Sequence, residues 1–221
     1  MKLETHRRQI VSFGKKLVSS GLVTGSGGNL SIYDRKENMI AVTPSGVAYK
    51  TMTPSDVVLV APDGTVLDGA LRPTSEIGFH LAIYQKREDV GAVVHTHSPY
   101  ATAFACLGME IPAVHYLIGF SGGDRVSVIP YETFGTPALA KAVGEGLGDK
   151  NVVLLANHGL LAAGCNVETA FKSAEEVEFV ARIYHLTLTA GRPHILNRSQ
   201  MAEVLEKFKT YGKSKPLPPL P

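Results

Sequence analysis

His95 and His97 stand one residue apart at the end of the apolar run Val90-Gly91-Ala92-Val93-Val94. Such a run reads as a buried strand, and because strand side chains alternate faces, the two imidazoles point the same way. Two imidazoles on one side of a strand end can hold one metal ion. His158 closes a second apolar run, Val152-Val153-Leu154-Leu155-Ala156-Asn157, and Glu76 follows Arg72-Pro73-Thr74-Ser75 at the opening of a helix-like segment. His95, His97, His158 and Glu76 together make a ligand set suited to zinc or a similar divalent ion. Each residue alone has an ordinary reading. A His-x-His pair in a strand is more often structural, His158 can simply finish its strand, and a glutamate at a helix start is favoured by the helix dipole. Their joint placement at strand ends and a helix start, where scaffolds present reactive groups, favours the metal. His6, His80, His115, His185 and His194 show no such pairing and read as surface, core or support residues.

Three polar loops of small residues accompany this set: Gly27-Gly28-Asn29, Thr43-Pro44-Ser45-Gly46 and Thr74-Ser75. Small residues let backbone N–H groups come close to an anion, and hydroxyls add donors, so the loops point to phosphate recognition. A Gly-Gly pair usually just makes a turn, and Thr-Ser before Glu usually caps a helix. The arrangement is not a P-loop, because the glycine-lysine-serine ending is missing.

The elements that must position these groups follow from periodicity and punctuation. Residues 3–21 carry apolar Ile10, Val11, Phe13, Leu17 and Val18 and stop at Gly21, an amphipathic helix. Residues 30–34 and 39–42 read as a hairpin, and residues 57–60 and 65–67 flank the turn Pro62-Asp63-Gly64. Further strands are expected at 90–95, 127–130, 151–157 and 160–163. Helices are expected at 76–86, 100–107, 137–147, 167–190 and 199–208. No composition shift or internal repeat divides the chain. The expectation is one α/β domain over residues 1–212, a three-layer αβα arrangement with a central, mainly antiparallel sheet flanked by helices. Residues 213–221, rich in lysine and proline, are expected to form a flexible tail.

The chain has 221 residues, 44% hydrophobic and 19% charged, with a formal net charge of +2, ordinary values for a soluble globular protein. No Lys/Arg block argues for nucleic acid, and no apolar stretch has membrane-spanning length. The polar N-terminus lacks the apolar region of a secretory signal, and Cys106 and Cys165 read as reduced core residues of a cytoplasmic protein.

The order and spacing of Gly27-Gly28-Asn29-Leu30-Ser31, Thr43-Pro44-Ser45-Gly46, Ser75-Glu76, His95-Thr96-His97 and Asn157-His158-Gly159 resemble the class II aldolase and adducin family. The likeness covers nearly the whole chain. It extends to Ile111-Pro112-Ala113-Val114-His115-Tyr116, to Thr133-Phe134-Gly135-Thr136, and to an ending, Lys207-Phe208-Lys209-Thr210-Tyr211-Gly212, that is most similar to the fuculose-phosphate aldolase branch. The resemblance implies that His95, His97 and His158 bind Zn2+ and that Glu76 ligates it until substrate arrives, then serves as acid/base. It implies a phosphate pocket of Gly28, Asn29, Ser45, Gly46, Thr74 and Ser75. It implies that Phe134 and Tyr211 fall near the aldehyde end and that Tyr116 reaches the active site of a neighbouring subunit in a homotetramer. The ending around Tyr211, an aromatic followed by a glycine and a proline-rich tail, is expected to act as a lid over the aldehyde half. The implied reaction is reversible cleavage of a ketose 1-phosphate, first L-fuculose 1-phosphate, to dihydroxyacetone phosphate and an aldehyde. The alternatives are cleavage of 5-deoxyribulose or 5-methylthioribulose 1-phosphate, ribulose-phosphate 4-epimerisation, methylthioribulose-phosphate dehydration, and an adducin-like interaction domain without catalysis. Thr74 stands where the fuculose enzyme has serine, and Arg72 where it has an apolar residue, which leaves the aldehyde half open.

Overall fold

A computed structural model describes residues 1–210. Helix α1 (Glu4–Ser19) leads into strands β1 (Asn29–Asp34), β2 (Met39–Val42), β3 (Val58–Val60) and β4 (Val66–Asp68). Helix α2 (Ile77–Lys86), strand β5 (Ala92–Thr96) and helix α3 (Pro99–Leu107) follow. Next come β6 (Ile111–Pro112), a 3₁₀ helix over Tyr116–Ser121, β7 (Arg125–Val126), β8 (Val128–Ile129) and α4 (Pro137–Gly146). The described part ends with β9 (Val152–Leu155), β10 (Gly159–Gly164), α5 (Val167–Ala190) and α6 (Arg198–Phe208).

Eight strands form one sheet in the order β4-β3-β2-β1-β5-β10-β9-β8. All neighbours pair antiparallel except β8 with β9, which are parallel. The pleat sorts side chains to two cores. Ala92, Val94, Leu160 and Ala162 pack against α1, α3 and α5 through Ile10, Leu17, Phe104, Ala174 and Val177. Val93, Leu161 and Ala163 pack on the opposite face against Phe79, Ile83, Leu139 and Val143 of α2 and α4. His95 shares the parity of Val93, so its imidazole is delivered to the α2 face, where Glu76 opens the helix. The three-layer expectation holds.

The differences are local. A small two-stranded sheet of β6 and β7 and the 3₁₀ helix at 116–121 were not expected, because runs this short carry no readable period. Cys106 and Cys165 are free and exposed, not core residues. Cys106 sits on the solvent face of α3, and Cys165 lies in the turn after β10, where its thiol faces the Thr169 hydroxyl at 3.7 Å. Tyr211 and the proposed tail, residues 213–221, lie outside the described residues. No helix among the described residues is long and apolar enough to cross a membrane.

Arg7 ties the first helix to the sheet edge. It is 2% exposed, and its guanidinium donates to the backbone carbonyls of Lys2, Pro54 and Val57 and to Asp68 of β4. Arg7→Ala should cost about 2–4 kcal/mol, because it leaves a cavity and buried carbonyls without donors. Asp68→Asn should cost less than about 1 kcal/mol, since that carboxylate is half exposed and water replaces the lost charge. Denaturant unfolding of the two variants checks this ordering; equal losses would put the energy in the ion pair instead of the carbonyls.

Candidate active site

The site begins with a backbone anchor. His95 is fully buried, and its Nδ1 lies 2.9 Å from the Leu160 carbonyl on the neighbouring strand β10. A carbonyl only accepts, so Nδ1 carries the proton and Nε2 turns its lone pair into the site. His97, just beyond β5, brings its Nε2 to 3.0 Å from His95 Nε2. His158 sits in the tight turn between β9 and β10, next to Asn157, whose φ of 54° lies in the left-handed region that asparagine tolerates. The glycine after it is required: a Cβ on Gly159 would collide with the Thr96 carbonyl of the adjacent strand.

Glu76 approaches from the opposite side. Its Oε2 is 3.5 Å from His95 Nε2 and its Oε1 is 3.2 Å from His158 Nε2. The ligand atoms of His95, His97 and His158 lie within 4.8 Å of one another. Glu76 Oε1 is buried without a hydrogen-bond partner among the described residues. An orphaned carboxylate oxygen amid imidazole nitrogens fits a divalent cation, which would give each lone pair a partner.

The electrostatics agree. Burial pushes the Glu76 carboxyl up, but the His158 and His95 imidazoles and the Asn29 amide outweigh it and hold it at about 2. Burial pushes His95 down to about 3 despite the opposing charge of Glu76, and lowers His97 as well. Neutral imidazoles and an ionised carboxylate are the states a metal requires.

The small-residue loops are stitched together beside Glu76. Thr43 N–H donates to the Leu30 carbonyl, Thr74 N–H to the Thr43 carbonyl, and Ser45 N–H to the Arg72 carbonyl. The Ser45 N–H is thus used within the loops, and Ser45 itself is exposed. Gly28 takes a φ of 68°, and its carbonyl accepts from the buried Tyr49 hydroxyl at 2.9 Å. Asn29 donates its side-chain N–H to Glu76 Oε2 at 2.7 Å. Thr74 Oγ1 accepts from Glu76 N–H at 3.3 Å, and Gly46 is exposed at its loop tip.

A cavity of about 300 Å³ opens next to these groups, lined by Ser75, Glu76, His97, His158, Tyr131 and Phe134, with Glu132 and Asn157. The chain's own Tyr116 is not in that lining; it is 41% exposed on the 3₁₀ helix, with its ring near His115 and Phe208. The structure thus gathers the histidines, Glu76, Ser75, Asn29 and Phe134, and leaves Tyr116 apart. Sequence reasoning missed Tyr131, Glu132, Tyr49 and His80. For His80 a signal existed: Glu76, His80 and Tyr84 are spaced by four on one helix and share a face.

Comparison with known proteins locates this architecture. The family model described as "Class II Aldolase and Adducin N-terminal domain" matches residues 8–185. A 5-deoxy-D-ribulose 1-phosphate aldolase of Bacillus thuringiensis is 50% identical over 96% of this chain and 100% of its own. An L-fuculose phosphate aldolase of Escherichia coli is 41% identical over 93% of this chain and 94% of its own. A solved L-fuculose 1-phosphate aldolase structure superposes with a TM-score of 0.90 at 41% identity, covering 93% of this chain and 96% of that one.

The protonation states set a pH dependence. His80 and His95 are held by burial at about 3, whereas an unfolded histidine titrates near 6.5. Between those values the unfolded chain binds more protons, so stability falls as pH falls. Glu76 acts in a lower window: its contribution is full above 4.5 and is lost as pH drops toward about 2. The melting temperature of metal-stripped protein should therefore fall by several degrees from pH 7 to pH 5, before the carboxylate matters. A flat profile across that range would mean that neither imidazole is held neutral.

Proposed function

The chain belongs to the class II aldolase and adducin family and is a metal-dependent aldolase, and on that premise we propose that it is a zinc enzyme cleaving a short deoxyketose 1-phosphate reversibly to dihydroxyacetone phosphate and a small aldehyde. The observation that carries the reading is the buried Glu76 carboxylate set between His95 and His158 at the mouth of a cavity. For the substrate, the 50% identity to the 5-deoxyribulose enzyme over nearly all of both chains favours 5-deoxyribulose 1-phosphate, with acetaldehyde as the second product. L-Fuculose 1-phosphate, with L-lactaldehyde as product, is the second reading, supported by 41% identity.

His95, His97 and His158 would hold the ion, with Glu76 as a displaceable fourth ligand. When bound, it supplies Lewis-acid polarisation of the ketone oxygen and the adjacent hydroxyl. Gly28, Asn29, Ser45, Gly46, Thr74 and Ser75 bind the phosphate and fix the reacting carbons. In cleavage a base takes the proton of the hydroxyl beyond the scissile carbon–carbon bond. That oxygen becomes the aldehyde carbonyl, and the bonding pair moves to the ketone side as an enediolate. Glu76, which takes up a proton from solvent once displaced, then delivers it to the carbon that lost its partner, completing dihydroxyacetone phosphate. The proton taken from the hydroxyl returns from the base to solvent, so protons balance over the cycle. Displacement suits Glu76 to that task. Away from the imidazoles and Asn29 the groups that hold its pKa down are lost while burial remains, so the carboxyl can carry a proton. Phe134, with Tyr131, forms the wall for the aldehyde half.

Tyr116 supplies the base at the leaving hydroxyl from a neighbouring subunit. Two features support this: it is not among the residues lining its own chain's cavity, and it lies in the apolar stretch 111–120 with a partly exposed ring. The assembly is a cyclic homotetramer with sites between subunits.

Purified protein assayed for dihydroxyacetone phosphate release should turn over 5-deoxyribulose 1-phosphate best in a panel of ketose 1-phosphates, and Glu76→Gln should lose ~10²–10⁴-fold in kcat. Release from none of the panel, or near-normal turnover with glutamine at position 76, would reject the assignment. A second experiment mixes His97→Ala with Tyr116→Phe and lets subunits exchange. Hybrid interfaces with both native walls should regain activity. Mixtures that exchange without recovery would return Tyr116 to its own chain.

A further inference from the structure

Behind Glu76 and Asn29 runs a line of buried polar side chains, and three of them, His80, Ser31 and Tyr84, have no part in the reaction as described. Tyr84 Oη lies 2.7 Å from Ser31 Oγ, and Ser31 Oγ lies 2.8 Å from His80 Nδ1. His80 Nε2 is 2.7 Å from Asn29 Oδ1, and Asn29 Nδ2 is 2.7 Å from Glu76 Oε2. All five residues are buried; His80 and Ser31 are 0% exposed. The line links α2 to β1 and back: Glu76, His80 and Tyr84 descend one helix face, while Asn29 and Ser31 project alternately placed side chains from the strand.

The polarity of this line follows from its end. An ionised carboxylate can only accept, so Asn29 must point its NH2 at Glu76 and its oxygen at His80. That oxygen accepts, so His80 carries its proton on Nε2. A neutral imidazole then accepts at Nδ1, Ser31 donates to it, and Tyr84 donates to Ser31. Burial supports the neutral form, pushing the His80 imidazole down to about 3. Every bond runs the same way, toward the carboxylate, and each polarises the next. Without His80 the buried Asn29 oxygen would lose its donor, and the carboxylate alone would hold the amide in this orientation.

We propose that His80 is a positioning residue for the aldolase reaction: backed by Ser31 and Tyr84, it locks the Asn29 amide with an N–H toward Glu76 and so sets the place from which that carboxylate moves protons. The proposal rests on Glu76 serving as acid/base. A role confined to packing would be met by an apolar residue, as at neighbouring Phe79 and Ile83 on the same helix.

The test is kcat and KM for the ketose phosphate, metal content by elemental analysis, and thermal melting for His80→Leu, His80→Gln and Tyr84→Phe, with His80→Leu repeated in the Glu76→Gln background. His80→Leu should lower kcat about 10–100-fold, the range seen for groups that orient ligands from behind, with KM within about twofold and the metal retained. Glutamine can still donate to Asn29 and should recover most of that loss. Tyr84→Phe keeps the ring, loses one hydroxyl, and should lower kcat a few-fold. In the Glu76→Gln background His80→Leu should have almost no further effect, since the group it acts through is gone. Wild-type kcat in His80→Leu, a full additional loss in the Glu76→Gln background, or a loss that leucine and glutamine share equally would each overturn the proposal. If His80→Leu does not fold, unchanged kcat in Tyr84→Phe overturns it instead. Failure of the acid/base reading has its own signature, near-normal activity in Glu76→Gln alone.

Discussion

Taking a carboxylate out of water is the constraint around which this molecule is arranged. Glu76 is 7% exposed, and an uncompensated charge at that depth would shift its pKa upward and neutralise. Compensation comes from several directions: imidazoles from the ends of β5 and the β9–β10 turn, an amide from the start of β1, and the N-terminus of α2 itself. Each contributor sits on a different element. The sheet must therefore hold β1, β5 and β10 side by side, and α2 must end against that seam. Because β5 lies between β1 and β10, one strand spacing suffices to bring the contributors into hydrogen-bond range.

The arrangement is rigid on one side and open on the other. On the sheet side the imidazole of His95 is fixed by a backbone carbonyl, Gly159 leaves no room for a Cβ, and Tyr49 pins the Gly28 turn. On the cavity side one oxygen of Glu76 accepts no hydrogen bond among the described residues and faces only the His158 imidazole, and Tyr131 and Phe134 are more than half exposed. The proposed displacement of Glu76 during the reaction needs this combination of a fixed pivot and one free direction.

Much of this was legible in the residues. The His-x-His spacing, read with strand alternation, placed two imidazoles on one face, and the neighbouring Val93 and Val94 alternate between the two cores as that reading requires. Helix α5 spans Val167–Ala190, the bounds expected from its pattern and from the terminal Gly191-Arg192-Pro193, and the structure adds Asn166 as its cap. What escaped depends on contacts distant in sequence. Asn29 looked like part of a phosphate loop, but its side chain also bonds to residues 47 and 51 positions away. Cys106 and Cys165 looked buried because their neighbours are apolar, yet a helix and a strand end each expose one side regardless of flanking composition. Tyr116 had no local period at all, since a short 3₁₀ helix offers too few residues to show one.

The wall proposed to face the aldehyde half has a different standing from everything else around Glu76. Tyr131, Glu132 and Phe134 come from the connection between β8 and α4, outside the sheet, and Tyr131 and Phe134 are 59% and 64% exposed. Replacing them removes little buried area, so it carries little stability penalty. The proposed acid/base apparatus, by contrast, is buried and interlocked with the sheet, so replacing its residues carries a larger stability cost. On the proposed reading, natural variation can thus alter which aldehyde is accepted, one surface residue at a time, while the bond-breaking chemistry stays constant. The fold is evolvable at its periphery and conservative at its seam.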